Sequence, residues 1–402
     1  MTRPRGLLLG FVDQGLSSAS NVLVMFAVAR TSSVVEFGAV ALVLMFVTTA
    51  LAVTRGTFGT PLLLSGSRPP AERARELGGA QTGAIAIGVM VALAVLVAGT
   101  LQAALLPAAV LAIATPVVLA QDVHRFAALA RQDQFGAVLW DGIWALGVLA
   151  LLVLTWVDQS LLSGVQVLTC WAMLASASLA GLMARSGALP VLFGWVAWWR
   201  ESHGHRIRFG VEGAIGALSS LLVVSGAAVL IGEAAAAALR GAGTIMGPLS
   251  VLMSAMPLAI LPEAVRTAQS PHRTWGILRK VAASMSVVAL AVGALGLLLP
   301  ESWGALLLGA SWRVVAPLLP ITGLEYAGLA WISILYTSQK ARGLSEQLLR
   351  TRLAHAFTSL LLATSAAFVW RSAIAVAVAL ASTAVLVAIL FVLVLRPGRR
   401  RY

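Results

Sequence analysis

Charge is scarce in this chain. Of its 402 residues, 11% are Asp, Glu, Lys or Arg, against roughly 25% in an ordinary soluble protein. There is one cysteine, Cys170. No disulfide can therefore form within the chain, and a lone thiol in an apolar stretch reads as a small packing residue. Histidine is nearly as rare. His203 and His205 lie close together in sequence, but no Cys or further His lies beside them, so no metal-ligand set is expected. The signature GxSxG does not occur, and no polar connection is long enough to fold as a catalytic domain. The stretch from Gly241 to Gly247 has glycines at GxGxxxG spacing. Its last interval is wrong for a dinucleotide fingerprint and no strand precedes it, so it reads as a small-residue helix contact.

What fills the chain is apolar: 59% of residues are hydrophobic. A spanning helix needs about 20 such residues in a row. Twelve such stretches are found, at 7–29, 37–58, 80–100, 102–122, 136–157, 161–184, 211–232, 234–260, 281–300, 314–338, 350–370 and 373–395. The fold expected is all-α and polytopic. Arg3 and Arg5 followed by an apolar run imitate a secretory signal. The run is long and is broken by Asp13, Gln14, Ser17, Ser18 and Asn21, so it reads as a retained first span.

The net charge of +13 raises the question of nucleic acid, and the placement of the charges answers it. With the N-terminus inside, 23 of the 28 Lys and Arg residues fall in inner connections and tails. Arg30, Arg313 and Arg371 fall outside, and Arg55 and Arg240 fall within spans. That asymmetry follows the positive-inside rule. The basic balance then reports orientation and contact with anionic inner-leaflet lipid, with both termini cytoplasmic and no nucleic-acid partner.

The spans divide into two sixes. Gly10-Phe11-Val12-Asp13 near the first span has a counterpart in Gly210-Val211-Glu212, Ser17-Ser18 in Ser219-Ser220, and Pro61 in Pro262. The offset is about half the chain. Six is even, so the halves run parallel, with a substrate cavity expected between them. The division is 1–184 and 211–402, the latter ending in a basic tail. Between them, 185–210 is expected to form a short amphipathic helix at the inner interface, because Trp195, Trp198 and Trp199 accompany Arg200, Arg206 and Arg208. Among the outer connections 301–313 is the longest, with Trp303 and Trp312 as expected interfacial anchors.

Charges at mid-membrane cost about 2.5–3.5 kcal/mol each on insertion scales, so they face a partner or a cavity. Asp13, Arg55, Asp141, Glu212, Arg240 and Glu325 fall inside spans. Together with Gln14 and Asn21 they are the candidates for lining a substrate cavity. Asp13 and Arg55 share a depth and could pair. Arginine suits a pyrophosphate, and a deep carboxylate such as Glu325 suits a coupling proton or sodium ion. No other cofactor is expected.

Residues 121–144 contain Asp122, Arg125, Phe126-Ala127, Arg131, Asp141 and Trp144. In that order and spacing they resemble the connection between spans four and five of Wzx-type polysaccharide flippases, in the multidrug/oligosaccharidyl-lipid/polysaccharide exporter superfamily. Asp13-Gln14-Gly15 through Asn21, Glu36-Phe37-Gly38, Arg240 through Pro248-Leu249, and Leu308-Gly309-Ala310-Ser311-Trp312 agree with it. The resemblance implies two six-helix bundles around a central cavity in the cell membrane. It also implies flipping of a polyprenyl-diphosphate-linked oligosaccharide for surface polysaccharide synthesis, alongside other polysaccharide-assembly membrane proteins. Two other readings stand beside it. One is a cation-coupled small-molecule exporter of the same superfamily. The other is a membrane glycosyltransferase or polymerase, which the lack of a sizeable acidic outer loop disfavours; the protein is not expected to be an enzyme.

Overall fold

The computed structural model describes residues 4–65, 69–131, 133–191, 193–253, 271–341 and 344–395. Among them there are helices and no strands. In hydrocarbon no water satisfies a free N–H or C=O, so helices that close every backbone bond internally are the natural outcome of so apolar a chain. Among the described residues ten helices are long and apolar enough to cross a membrane, or eleven when one bent pair counts as a span. The first helix, α1 (Pro4–Thr31), has 28 residues, about 42 Å at 1.5 Å per residue, which also exceeds a hydrocarbon core of about 30 Å. The chain divides into two compact units, Met1–Leu221 and Leu222–Tyr402.

The first unit holds α1, α2 (Val34–Thr54), a π-helical turn (Arg55–Gly59), α3 (Thr60–Leu64), α4 (Pro70–Leu101), α5 (Leu105–Ala130), α6 (Gln134–Val157), α7 (Gly164–Ser186) and most of α8 (Trp195–Leu230). α5 is the central helix, packed on α2, α4, α6 and α7, while α1 lies on α6 and α7. Gly88 lets α4 close onto the backbone of Pro116 inside α5. Trp144 and Trp171 meet at 5.6 Å between α6 and α7. Helix ends are capped from the sequence. Ser33 and Glu36 form a capping box on α2, and Ser163 and Gln166 form one on α7. α7 stops at Gly187, whose φ of +61° suits a residue without Cβ.

The second unit holds the end of α8, α9 (Glu233–Ile245), α10 (Gly247–Met253), α11 (Pro271–Leu298), α12 (Glu301–Leu308), α13 (Trp312–Val315), α14 (Leu319–Ala341), α15 (Ser345–Trp370) and α16 (Ala373–Leu395). α14 packs on α11 and α16. Gly293 and Gly323 face each other where α11 crosses α14, so the backbones touch through small residues. Leu278, Ala282, Met285, Ala330 and Ile334 fill the rest of that seam.

Three expectations are corrected. The eighth span is broken: α9 and α10 meet at 58°. Pro248, at the start of α10, lacks an N–H and its ring crowds the preceding turn. The expected interfacial helix is instead the first part of the 36-residue α8. Its tryptophans pack inward: Trp198 is 2% exposed over Gly79, Trp195 donates to the carbonyl of Gly79 at 2.9 Å, and the guanidinium of Arg206 lies 3.6 Å from the Trp198 ring centre. Glu76 takes the other end of Arg206 at 2.8 Å. A satisfied donor at Trp195 and a stacked cation at Trp198 favour packing over an interfacial place. Finally, 301–313 is largely helical and buries Trp312 over Gly304, whereas Trp303 remains exposed. Pro262, one term of the internal repeat, lies outside the described residues.

Candidate functional site

The charged centre of the first unit is built on α5. An aspartate and an arginine three residues apart share a helix face, and here that face turns inward. Arg125 is fully buried. Its Nη1 donates to Oδ2 of Asp13 at 3.1 Å, and its Nη2 lies 3.0 Å from Oδ1 of Asp122. Its Nε approaches Oδ2 of Asp141 at 3.8 Å. Asp122 is held a second time, by Arg55. Nε and Nη2 of that guanidinium donate to its two oxygens at 2.9 and 2.8 Å in a bidentate fork. Asp141 also accepts from Nε2 of Gln121 at 2.7 Å, and Gln121 in turn reaches the Ser178 hydroxyl at 3.1 Å. Side chains from α1, the π-helical turn, α5, α6 and α7 thus meet around one guanidinium.

The π-helical turn aims Arg55. In it the N–H of Thr60 reaches back five residues to the carbonyl of Arg55. Such turns recur at functional sites because the extra residue re-aims neighbouring side chains. Gly56 lies against the backbone carbonyl of Phe209 in α8, where a Cβ would overlap it.

Charge does not balance in this cluster. Asp13, Asp122 and Asp141 face Arg55 and Arg125, three carboxylates against two guanidiniums. Oδ1 of Asp13 and Oδ2 of Asp141 are buried without a hydrogen-bond partner. A buried carboxylate oxygen with no donor is costly unless a proton or cation arrives. The arrangement can therefore accept one positive charge.

The structure joins Asp13, Arg55, Asp141, Asp122 and Arg125 from the sequence candidates and leaves the rest elsewhere. Asp13 and Arg55 do not pair with each other; each has its own partner on α5. Asp122 and Arg125 belong to α5, not to a connecting loop, because the helix continues to Ala130. Arg131 caps the end of α5 and stands apart from the cluster. Gln14 follows Asp13 on α1, with its side chain outside the described residues. Asn21 turns onto its own helix and donates to the carbonyl of Ser17 at 3.1 Å. Glu212 is half-buried on α8 and is not among the carboxylates that meet Arg125. Arg30, expected in an outer loop, is buried and donates to the last-turn carbonyl of Thr155 on α6. The contributions of Gln121 and Ser178 were missed; the only sequence signal was that Gln121 directly precedes Asp122.

In the second unit Arg240 and Glu325 form no ion pair among the described residues. Arg240 is half-buried on α9, and its Nε is buried without a hydrogen-bond partner. Glu325 is half-buried on α14 beside Tyr326, whose hydroxyl accepts from Ser250 at 3.1 Å. Among the described residues no group of three or more His, Cys, Asp or Glu could hold a metal ion.

No protein-family model matches the chain, and no curated protein does. Solved structures do. An inward-facing multidrug resistance MATE family transporter of the MOP superfamily is similar at TM-score 0.69 and 14% identity. The match covers 94% of this chain and 93% of the other. A MATE transporter in a bent conformation is similar at TM-score 0.62 and 14% identity, over 97% and 93%. A eukaryotic MATE transporter is similar at 0.60 and 14%, over 97% and 96%. The fold is that of MATE transporters of the MOP superfamily, and the chain is a multi-pass membrane protein.

Proposed function

We propose that this protein is a cation-coupled exporter that moves a small organic substrate across the cell membrane by alternating access. It is a transporter and not an enzyme, with both termini cytoplasmic as the arginine distribution suggests. The observation that carries the reading is the uncompensated carboxylate around Arg125: three buried aspartates share two guanidiniums. One proton or sodium ion neutralises the cluster, and its binding and release couple a gradient to the two access states. A ligand shifts such an equilibrium only by its differential affinity for the two states, and a buried site with one charge in deficit supplies that difference. The similarity to MATE multidrug transporters supports the same reading.

The test is transport by the full chain in proteoliposomes with an imposed proton or sodium gradient, using ethidium as the substrate probe. Asp141→Asn removes the excess carboxylate. Gradient-driven efflux by the wild type that is lost in this variant supports the proposal. Equal efflux by both, with or without a gradient, overturns it.

A second reading has its own support: flipping of a polyprenyl-diphosphate-linked oligosaccharide, with lipid-linked sugar as substrate. The segment 121–144 resembles polysaccharide flippases, and Arg240 offers a guanidinium without an ion-pair partner among the described residues, suited to pyrophosphate. Its signature is accumulation of lipid-linked sugar on the inner leaflet when the gene is removed. Unchanged intermediates and unchanged surface glycan reject it.

A further inference from the structure

A second basic centre lies in the first unit, away from the Arg125 cluster. Where the end of α3, the start of α4, and the ends of α5 and α7 come together, a cavity of about 180 Å³ opens. Its walls include Leu62, Leu77 and Ala127, and two guanidiniums, those of Arg73 and Arg131, line it. Neither arginine has an ion-pair partner among the described residues, and Nε of Arg73 is buried without a hydrogen bond. The nearby Asp133 forms no ion pair with either, although its charge acts on Arg131. Arg185 holds both of its oxygens at 3.0 Å, and the N–H of Gly136 takes a further bond. Burial together with the like charges of Arg73 and Arg185 pulls the guanidinium of Arg131 below its ordinary value, against the opposing pull of Asp133. Among the described residues Arg185 is the arginine paired with Asp133, and Arg73 and Arg131 are left without an ion pair beside the hollow.

Helix dipoles do not explain the pair. Arg131 at the end of α5 is well placed for the negative end of that helix, but Arg73 is in the opening turns of α4, where a cation is unfavourable. Two unpaired like charges beside a shared cavity are stable when an anion lies between them. The volume is below the roughly 300–1,000 Å³ of drug-sized pockets, which favours an ion or a headgroup over a transported organic molecule. Guanidinium forks match phosphate oxygens. Both arginines also fall on the face that the charge asymmetry assigns to the cytoplasm, where anionic lipid is present.

We infer that the Arg73–Arg131 cavity is a phosphate-binding site that holds the phosphodiester of an anionic inner-leaflet lipid or a soluble phosphate. It is separate from the coupling cluster and stands whichever substrate is transported.

The experiment is thermal unfolding of the full chain in nanodiscs of phosphatidylcholine, with and without phosphatidylglycerol, and with inorganic phosphate titrated into the former. The wild type is expected to gain a few degrees in Tm with phosphatidylglycerol. Arg131→Gln is expected to invert the pattern: a higher Tm than wild type in phosphatidylcholine, where repulsion from Arg73 is relieved, and no gain with phosphatidylglycerol. Arg200→Gln, which removes an exposed charge outside the cavity, keeps the wild-type gain. If inorganic phosphate alone reproduces a gain that Arg131→Gln abolishes, the site stands and its ligand is soluble. Should Arg131→Gln fail to assemble, Arg131→Lys keeps the charge without the fork and is expected to lose most of the gain. Full retention of the gain in Arg73→Gln and Arg131→Gln overturns the site, as does a wild type that responds to neither probe.

Discussion

The two units treat buried charge in opposite ways. In the first, Arg125 and four other charged side chains, drawn from α1, the π-helical turn, α5 and α6, form one cluster, each within reach of an opposite charge. In the second, Arg240 and Glu325 stand apart, with no ion pair between them. The sequence pairs positions at an offset of half the chain, Asp13 with Glu212 among them, yet Glu212 belongs to the first unit together with Asp13. The two units carry two electrostatic designs. A network fixes helix positions and leaves one charge to be exchanged. Isolated charges fix little and are retained for what they can bind. On the reading proposed above, coupling belongs to the network and substrate contact to the isolated charges.

The strongest way to break this comparison is to remove the hub. Arg125→Gln takes the guanidinium away from Asp13 and Asp141 while Asp122 keeps Arg55, and losing one partner of a buried pair costs about 3–5 kcal/mol. A large drop in Tm in nanodiscs, or failure to accumulate in the membrane, is expected. A near-normal melting curve would show that the network is solvated. The matching change in the second unit is Arg240→Ala or Glu325→Ala. Since neither residue has an ion-pair partner among the described residues, stability is expected to hold or rise slightly while transport is abolished. A loss of stability as large as that of Arg125→Gln would erase the contrast, and wild-type transport by both variants would make these charges structural.

Asp141→Asn sharpens the comparison from inside the network. It brings three carboxylates down to two against the same two guanidiniums, so stability within about 1 kcal/mol of wild type and loss of gradient dependence are expected. The smallest effect belongs to Arg185→Gln. Asp133 is lowered in pKa: burial raises it, but hydrogen bonds from Arg185 and from the N–H of Gly136 outweigh that. A depressed carboxyl contributes stability above its unfolded pKa of about 3.9, and the contribution disappears as pH falls through the lower folded value. The small Tm difference between wild type and Arg185→Gln should therefore vanish in acid; a difference that persists once Asp133 is protonated in the folded state would mean the pair acts through packing.

Much of the fold was legible because lipid leaves few solutions. Apolar runs of spanning length located the helices among the described residues; the paired positions suggest halves at 1–184 and 211–402, whereas the compact units divide between Leu221 and Leu222. The site was legible by composition but not by pairing. Asp13, Arg55, Asp122, Arg125 and Asp141 were all singled out, yet Arg125 was placed in a loop. A charge after an apolar run looks like the end of a span, whereas α5 extends two further turns because opposite charges wait for it on α1, α2's end and α6. The same blindness affected the tryptophans of 195–199. Composition cannot distinguish a ring that meets lipid from one that meets Gly79. Nor does a sequence show which two arginines will share a hollow, since Arg73 and Arg131 are brought together only by packing of α4 against α5.

The π-helical turn at Arg55–Gly59 works like a vernier in the second span. An ordinary α-helix through this stretch would turn every later residue by about 100° relative to what is found, since each residue advances the helix by that angle at 3.6 per turn. The five-residue ring lets Arg55 reach Asp122 while the residues after Gly59 still pack on α5. The two requirements belong to faces that a regular helix would not present together. Deleting one residue between Gly56 and Gly59 would thus keep the charge and apolarity of the span, shorten it by a single residue and still unmake the site, because what is stored there is phase.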